Sequence, residues 1–425
     1  MRLSSIAGHV IEVFSIFREH PAIPADAILR RFFQERKYLG AKDRRAIGDY
    51  YYATIKHARR LEARAADAFP EEQIVPAHMV AALMLIRGSE PAVVYGTFAD
   101  IGISFRHGSI EQLADTERER QRLEKLSYIE RLAILHSFPT WFAIRMGAEY
   151  GMDALEPILS LLNQEAPISL RANTLLATRE KVEEDIRREG FETTSSSIAP
   201  DALRLAKRIN VFGLDSFRRG EFEVQDEASQ LVAPFAHIRK TSIKALDACA
   251  GAGGKTLHLA ALMKNHGEIF ATDVDGRKLE ELKVRARRSG AQNIRIIVPD
   301  QKEKMLGADK TGWFDLVLLD VPCTGTGTLR RNPGIKWLLT EQMLEELTQK
   351  QRTILEENVH FVKPGGTLLY ATCSLLKEEG EAQMEWFVSQ HPEFMIEETM
   401  RTRPDLDGCD GFFVARLRSL VTSAP

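Results

Sequence analysis

Two different patterns of apolar and polar residues divide the chain. Over residues 1–135 apolar residues recur every three or four positions and glycine and proline are sparse, which predicts helices. From about residue 236 short apolar runs alternate with amphipathic stretches, a pattern typical of a parallel sheet with helices on both faces. The runs predict strands at Ala245–Cys249, Glu268–Asp273, Ile294–Val298, Leu316–Asp320 and Thr367–Thr372. The stretches predict helices near 255–265, 276–289 and 340–359.

Residues 136–235 connect these two parts and predict a small α/β subdomain. A strand is predicted around Ile168–Ala172 and a helix at Arg179–Glu189. Near the other end of the chain, "FMIEE" and "GFFVARL" predict two strands that pair at the edge of the large sheet. Because 425 residues exceed one ordinary core, we expect three domains, over residues 1–135, 136–235 and 236–425.

Composition limits the classes of protein to consider. With 44% hydrophobic and 28% charged residues, the chain is typical of soluble globular proteins. Apolar runs stay below 18 residues, and His9 and Glu12 interrupt the first apolar stretch, so we expect no membrane partner and no signal peptide. The four cysteines form no C-x-x-C pair, which argues against a disulfide framework or a zinc site. We expect a cytoplasmic monomer without a metal.

A basic stretch stands out against the formal net charge of -3. Residues 30–64 contain eleven basic residues against four acidic ones, a local balance of +7. A solvated helical face and a phosphate-contacting surface both fit this excess. The candidates for phosphate contacts are Arg30, Arg31, Arg44, Arg45, Arg59 and Arg60.

A glycine-rich loop follows the first predicted strand of the large sheet. It lies in "LDACAGAGGKTLHLA", residues 246–260, and begins like a nucleotide-triphosphate loop. Cys249, however, stands where that motif needs its first glycine. The dinucleotide fingerprint fails as well, since Thr256 stands at its third glycine. The loop allows close approach of a ligand, but the ligand has to be inferred from other residues.

Acidic residues follow three neighbouring predicted strands. Asp273, Asp300 and Asp320 each stand at or just past a carboxyl end, where doubly wound sheets bind their ligands. Asp273 lies about 20 residues after the loop, the spacing of a ribose-binding acid, so the pattern favours a nucleoside pocket. NAD would fit that pocket too. Cys323, in a turn rich in glycine and threonine, and Cys373, at the end of the fifth strand, form a pair that hydride transfer does not need.

These stretches resemble, in order, the motifs of the Sun/Nop-type RNA (cytosine-5) methyltransferases: the glycine loop, "DVD", "DVPCTGTG", "RRNPGIKW", "ATCS" and "DGFFVARL". The resemblance covers about residues 136–425. It implies a Rossmann-like class I methyltransferase domain, with a mostly parallel sheet and an antiparallel edge, and S-adenosyl-L-methionine as the cofactor. One departure is that C-A-A-P-G-G-K-T of the family reads C-A-G-A-G-G-K-T here, which loses a proline and gains a glycine.

The resemblance places the glycine loop against the methionine part of the cofactor. Lys255 and the amino terminus of the following helix are then expected near the methionine carboxylate. The residues expected to bind the cofactor are Cys249, Ala250, Gly251, Ala252, Gly253, Gly254, Lys255, Asp273, Asp300 and Asp320.

Methylation of cytosine at C5 needs covalent activation, because C5 is a poor nucleophile. A thiolate that adds to C6 makes C5 electron-rich, and an acid near N3, for which Asp320 is the natural candidate, favours that addition. On chemistry alone, either Cys323 or Cys373 fits the nucleophile. The resemblance implies that Cys373 attacks and that Cys323 is needed for release, whereas DNA enzymes attack with their Pro-Cys cysteine. We interpret Cys249 and Cys409 as bystanders.

The N-terminal stretch "LGAKDRRAIGDYYYATIKHARRLEA" resembles the helical NusB-type RNA-binding domain. Among these methyltransferases, such a domain implies the RsmB-like branch, which modifies cytosine in small-subunit ribosomal RNA, so RNA is the expected partner. Another RNA, such as transfer RNA, is an alternative. A NusB-like RNA-binding or assembly factor with a vestigial methyltransferase domain is a second one. The presence of Asp320, Cys323 and Cys373 argues against a vestigial site, since such a site has no physical reason to keep them.

Overall fold

The computed structural model describes residues 1–420, in which the chain forms two compact units. The first unit comprises Met1–Gln164 and Leu329–Glu341, and the second comprises Glu165–Thr328 and the described residues from Gln342 onwards. Two ranges that were predicted to lie in the later domains belong to the first unit instead. These are residues 136–164 and Leu329–Glu341. The last five residues of the predicted domain 236–425 lie outside the described residues.

The first unit is helical, as the spacing over residues 1–135 predicts. Its core includes Val10, Val13, Phe14 and Phe17 of the first helix, which are all fully buried. Its helices are α1 (Leu3–Glu19), α2 (Ala25–Glu35), α3 (Ala41–Lys56), α4 (Ala58–Ala68), α5 (Pro76–Ile86), α6 (Pro91–Ala99), α7 (Ser109–Ala114), α8 (Thr116–Glu124), α9 (Tyr128–Leu135), α10 (Thr140–Tyr150) and α11 (Met152–Leu161). In the part of the chain that the structure describes, no helix is both long and apolar enough to cross a membrane.

The segment Leu329–Glu341 completes the core of this helical unit. Its indole, Trp337, packs edge to face on Phe14 and Phe17, with ring centroids 5.8 and 5.5 Å apart. Lys336 is buried beside it, and its ammonium group donates to backbone carbonyl oxygens of the same unit. Aromatic contacts and buried hydrogen bonds therefore both hold the segment in place.

The second unit contains a small sheet and a large one, each covered by helices. Its helices are α12 (Arg179–Arg188), α13 (Asp215–Arg218), α14 (Glu227–Val232), α15 (Gly254–Leu262), α16 (Gly276–Ser289), α17 (Lys302–Met305), α18 (Glu341–Val359), α19 (Glu381–Gln390) and α20 (Pro404–Asp407). Its strands are β1 (Ser169–Ala172), β2 (Thr193–Ser195), β3 (Ala202–Leu205), β4 (Phe222–Val224), β5 (Lys244–Asp247), β6 (Glu268–Thr272), β7 (Ile294–Ile297), β8 (Phe314–Asp320), β9 (Val362–Thr372), β10 (Phe394–Thr402) and β11 (Phe412–Ser419). The predicted strands and helices of this unit are confirmed to within a few residues at their ends.

The large sheet has the strand order β10-β11-β9-β8-β5-β6-β7. Strands β9, β8, β5, β6 and β7 run parallel, while β11 is antiparallel to β9 and β10 is antiparallel to β11. This arrangement confirms the predicted Rossmann-like class I methyltransferase fold, including its antiparallel edge. The small sheet, in the order β2-β3-β1-β4, is antiparallel throughout.

The connections of the large sheet create one switch point. From β5 the chain proceeds outward through β6 and β7, and it then returns to β8 on the other side of β5. The loops that follow β5 and β8 therefore diverge and leave a crevice at the carboxyl ends of these strands. This is the edge at which the sequence places its candidate site residues.

Candidate active site

A cavity of about 730 Å³ opens at this edge of the sheet. Its volume lies within the usual range for small-molecule sites, roughly 300–1,000 Å³. Acidic side chains from the ends of β5, β6 and β8 line it, together with residues of α18. Of the predicted cofactor-binding residues, those that line it are Cys249, Ala250, Gly251, Ala252, Gly254, Lys255, Asp273 and Asp320.

Two glycines give the loop between β5 and α15 its shape. Gly253 has φ +87°, and a Cβ built there would lie 2.1 Å from Leu282 Cδ1 of α16, so any side chain would clash. Gly251 has φ +53°, in the left-handed region that glycine adopts without strain. It stands where the family pattern has its second alanine. The glycine that this chain gains is therefore used to turn the loop.

Asp273 fixes the loop from the end of β6. Its Oδ2 accepts a hydrogen bond from the backbone N–H of Gly251 at 2.8 Å, and its Oδ1 accepts one from the N–H of Asp275 at 2.9 Å. Each carboxylate oxygen has a second lone pair, so Asp273 can also accept hydrogen bonds from ligand hydroxyls.

The structure does not bring Asp300 to the same place. It lies exposed on the 3-10 turn Pro299–Gln301, and within residues 1–420 it is not among the residues that line the cavity. Lys302 lines the cavity instead. The spacing of an acid just past a strand did not reveal that Asp300 is exposed and outside the lining residues.

Asp247, at the end of β5, lines the cavity although the sequence analysis did not select it. Its Oδ2 accepts a hydrogen bond from the hydroxyl of Thr256 at 2.7 Å, while its Oδ1 is buried and lacks a partner. Burial, together with the charge of Asp320, raises the pKa of this carboxyl group to about 7. A buried oxygen without a partner is costly, and a donor group on a ligand would satisfy it. In the sequence, Asp247 falls inside a predicted strand, which conceals it.

Lys255 spans the crevice from the start of α15 to the end of β8. Its Nζ donates to Oδ2 of Asp320 at 2.6 Å, and it lies 4.8 Å from the ring centroid of Phe412. The Lys255 side chain is 90% buried, since 10% of it is exposed, so little water screens this ion pair. The sequence analysis selected both residues but did not anticipate that they pair.

The two selected cysteines lie side by side. Cys323 follows β8 and Cys373 follows β9, and their Sγ atoms are 3.4 Å apart. The hydrogen bond with Cys373, together with burial, raises the pKa of the Cys323 thiol well above its usual range. Cys323 therefore keeps its proton and can donate it toward the sulfur of Cys373.

Hydrogen bonds join the two cysteine-bearing loops. The N–H of Gly327 donates to the carbonyl oxygen of Cys373 at 3.0 Å, and the N–H of Leu375 donates to the hydroxyl oxygen of Thr326 at 2.9 Å. The same hydroxyl lies 3.1 Å from that of Ser374. These contacts fix the separation of the two sulfur atoms.

Glu379 lies beneath these loops and is fully buried. Its Oε1 accepts hydrogen bonds from the N–H of Thr324 at 2.8 Å and from the amide of Gln351 at 3.0 Å, and its backbone carbonyl accepts one from Tyr370. Burial raises the pKa of Glu379. It supports the residue that follows Cys323. The sequence analysis missed it, because the charged run "KEEG" gives no sign that one of its acids is internal.

Arg171 is a second supporting residue that the sequence analysis missed. It is buried on β1, and its Nη1 donates to the carbonyl oxygen of Gly254 at 2.6 Å and also bonds Gln225. It thereby ties the glycine loop to the small sheet. The sequence did mark Arg171 as unusual, since it is a charged residue inside the otherwise apolar strand "ISLRA".

The other two cysteines are not part of this pair. Cys249 lines the cavity, and burial raises the pKa of its thiol. Cys409 is buried near α20, where its thiol contacts the carbonyl oxygen of Asp410. Residues 1–420 contain no group of three or more side chains placed to hold a metal ion.

The basic residues of the helical unit separate into two groups. Arg60 and Arg64 both bind the buried carboxylate of Glu119, and Arg59 donates to the hydroxyl of Thr140 at 2.7 Å. These side chains hold helices together, so Arg59 and Arg60, which the sequence analysis expects to contact phosphate, already have partners inside the folded unit.

The remaining candidates lie on the surface of this unit. Arg30 and Arg31 are exposed and paired with acids one turn away, and the Nε of Arg44 donates to a backbone carbonyl. Within residues 30–64, three further cations are exposed without an ion-pair partner, and we call them the exposed cation group: Lys37, Lys42 and Arg45.

Comparisons with known proteins agree with this geometry. A family model described as "16S rRNA methyltransferase RsmB/F" matches residues 239–418, and one for the "Methyltr_RsmF/B-like, ferredoxin-like domain" matches residues 138–212. The ribosomal RNA small subunit methyltransferase B of Sodalis glossinidius (strain morsitans) is 35% identical over 311 residues, which cover 70% of each chain. A protein of Bacillus subtilis (strain 168) named "Probable ribosomal RNA small subunit methyltransferase B" is 33% identical and covers 68% of each chain.

A solved structure extends the likeness over nearly the whole chain. The crystal structure of the protein PH0851 is 28% identical in sequence, covers 98% of this chain and 99% of its own, and superposes with a TM-score of 0.79. The large sheet and the cavity at its carboxyl edge thus form an S-adenosyl-L-methionine-dependent methyltransferase fold. On the fold, the family models and the identity to these relatives, the chain belongs to the RsmB/F family of 16S rRNA methyltransferases.

Proposed function

We propose that the chain methylates C5 of a cytosine in small-subunit ribosomal RNA through a covalent bond between Cys373 and C6. The observation that carries this proposal is the 3.4 Å separation of the Cys323 and Cys373 sulfur atoms, at the same sheet edge as the Lys255–Asp320 ion pair. Methylation of a nitrogen or of a ribose oxygen would need no thiol. Two adjacent thiols, one of which keeps its proton, fit addition to a pyrimidine ring and release from it.

The residues around the cavity fit the cofactor. Asp273 offers acceptors for ribose hydroxyls, the glycine loop allows close backbone approach, and the unpartnered Oδ1 of Asp247 can accept from an ammonium group or N–H. When bound, S-adenosyl-L-methionine supplies an electrophilic methyl group on its sulfonium centre. The exposed position of Asp300 gives that residue no part in this proposal.

Attack begins at the sulfur of Cys373. Its thiolate forms a bond to C6, the ring electrons move onto N3, and N3 takes up a proton. The S–H group of Cys323 stabilises that thiolate before attack. Because Asp320 accepts a hydrogen bond from the ammonium group of Lys255, we infer that the Lys255–Asp320 pair as a whole supplies the proton to N3.

Release requires the sulfur–carbon bond to break. Before this, C5 has attacked the methyl group, whose bond to the sulfonium sulfur breaks. The C5 proton then passes to a base, and the electrons of that C–H bond form the C5–C6 double bond again. The electrons of the Sγ–C6 bond return to Cys373, and N3 gives back the proton that it took up during attack. Cys323 lies beside the departing sulfur, where its thiol can donate a hydrogen bond to the new thiolate. Without that donor, the methylated adduct would persist. This division of roles follows the family resemblance.

The proposal is tested with methyl-labelled cofactor. The protein is incubated with it and with isolated small-subunit ribosomal RNA, and the RNA is digested and its nucleosides are separated. We expect the label in 5-methylcytidine from one or a few positions. Label on another atom would refute the chemistry, and label in transfer RNA alone would support the alternative substrate. A folded, cofactor-binding protein that labels no RNA would support the vestigial alternative.

A further inference from the structure

A second cavity, of about 550 Å³, lies at the opposite edge of the large sheet. It opens beside Ile243, just before β5, and Leu316, near the start of β8. The active-site cavity opens at the other ends of these strands. The seven residues of β8 span about 23 Å at about 3.3 Å per residue, so the two cavities are far apart.

Positive charge dominates the lining of this second cavity. Two carboxylates, Asp315 and Glu397, also line it. The cationic side chains come from the loop before β5, from β9 and from β11, and they are Arg239, Lys240, Lys363, Arg416 and Arg418. We call this site the basic cavity.

The carboxylates neutralise only part of this charge. Asp315 pairs with Lys363, and Glu397 lies 3.1 Å from both Arg416 and Arg418. The guanidinium group of Arg416 also lies 3.2 Å from Glu398, so two carboxylates share it.

Two further cations lie at the rim of the basic cavity without an ion-pair partner among the described residues. Arg239 and Lys240 are exposed, and the described part of the chain offers neither of them an ion-pair partner. A cavity that gathers these paired cations and two unpaired ones suits phosphate groups, which accept bidentate hydrogen bonds from arginine.

We propose that the basic cavity binds backbone phosphates of the same RNA that is methylated at the opposite edge. The proposal rests on the proposed function only in taking that RNA as the occupant. The cavity volume exceeds that of one phosphate group, and its cations come from separate elements, as a run of nucleotides requires. Because about 23 Å separates the two edges, the RNA must be folded or long enough to reach both.

RNA binding without the cofactor gives the first test. The probe is small-subunit ribosomal RNA, and the variant is Arg239→Ala with Lys240→Ala, since both side chains are exposed. Each lost contact should reduce the log–log salt slope by about 0.7 to 0.9, or about 1.5 for two contacts. The matched control is Lys207→Ala with Arg287→Ala, two exposed cations of the same unit outside both cavities. Equal slopes for the two double variants would overturn the proposal.

Steady-state methylation gives the second test. A short RNA hairpin that contains the target cytosine reaches only the active site, whereas the folded ribosomal RNA reaches both edges. The Arg239/Lys240 variant should raise KM for the folded RNA several-fold more than KM for the hairpin. If the wild-type protein methylates neither RNA, the proposed function fails, but the binding test still decides the basic cavity.

Inorganic phosphate distinguishes a free anion from an RNA backbone. We expect millimolar phosphate to compete with the folded RNA for the wild-type protein and to compete less for the Arg239/Lys240 variant. Phosphate binding that the variant loses, with RNA affinity and salt slope intact, would assign the cavity to a small free anion and overturn the RNA proposal.

Discussion

The ammonium group of Lys255 lies 2.6 Å from Oδ2 of Asp320 and joins the glycine loop of the cofactor cavity to the strand end that precedes Cys323. One ion pair thus belongs to both halves of the proposed reaction. It contacts the glycine loop, and under the proposed mechanism it supplies the proton to N3 of the cytosine.

Replacing Asp320 with Asn should separate chemistry from cofactor binding. The amide keeps the size of the carboxylate but loses its charge, so Lys255 loses its ionic partner. We expect kcat to fall about 10²- to 10⁴-fold, the usual contribution of a positioned proton donor or acceptor. Steady-state kinetics with calorimetry of cofactor binding checks this. A near wild-type kcat in Asp320→Asn would remove the pair from the mechanism.

The two cysteine variants should fail in different ways. Cys373→Ala can form no bond to C6, so we expect no turnover and no adduct. Cys323→Ala should attack and methylate but release slowly, and so accumulate a denaturant-resistant protein–RNA adduct that carries the labelled methyl group. A denaturing gel distinguishes them. The reverse result, with an adduct only in Cys373→Ala, would place this chain with the DNA-type mechanism.

Asp273→Ala should weaken cofactor binding. The change removes a charged acceptor for ribose hydroxyls and leaves the N–H of Gly251 without its partner. The expected cost is about 1.5–3 kcal/mol of binding free energy, measured by calorimetry. Asp309→Ala is the matched control, because Asp309 is an exposed acid of the same unit outside the cavity, and the affinity of this variant should match the wild type. Equal losses in both variants would contradict the placement.

Asp247 should make stability depend on pH. Its pKa is about 7 in the folded protein, whereas the pKa of an ordinary aspartate is 3.8. Between these two pH values the folded state holds a proton that the unfolded state has released. The contribution of this group to stability is therefore complete below pH 3.8 and is lost as pH rises toward 7. The free energy of unfolding should fall by up to about 1.4 kcal/mol per pH unit in this window.

Denaturant unfolding of the cofactor-free protein at several pH values measures this slope. Asp247→Asn serves as the control, since its amide cannot ionise and its curve should be flatter. Glu379, whose pKa burial also raises, contributes a slope of the same sign in both proteins. The difference between the two curves therefore isolates Asp247, and identical curves would contradict the prediction.

The exposed cation group should contribute to RNA affinity, whereas Arg60 should contribute to stability. Lys42→Ala with Arg45→Ala removes two unpaired charges, so the log–log salt slope of RNA binding should shrink by about 1.5. Arg60→Ala breaks a contact with buried Glu119 and should lower the melting temperature instead. An unchanged slope for the Lys42/Arg45 variant would show that this surface is an ordinary solvated helical face.

The sequence predicted the second unit well because its signals are local. Each strand of the large sheet is an apolar run, each helix between them is amphipathic, and the site motifs follow strand ends. Cys323 and Cys373 could be assigned to one edge because parallel strands end there. Their adjacency could not, since it depends on β9 pairing with β8 and on hydrogen bonds such as that from Gly327.

The limits of the sequence analysis have a common cause. Arg59 and Arg60 carry the same charge as the exposed cations, and only the packing of distant helices shows that they have internal partners. Asp300 has the spacing of a ligand-binding acid, but the structure leaves it exposed and outside the residues that line the cavity. Charge and spacing record what a side chain can do, whereas the partner it meets is decided by residues far away in the chain.

The packing of Trp337 on Phe14 and Phe17 has a consequence for synthesis of the protein. Residues 1–164 leave the ribosome well before Trp337, by on the order of ten seconds at about 5–20 residues per second. During that interval the nascent helices expose the aromatic surface that the later segment covers. A gene fragment that ends at Gln164 would encode helices whose aromatic surface stays uncovered. Recombination could therefore not transfer the helical unit alone, because part of its interior is encoded downstream of the Pro-Cys motif at Cys323.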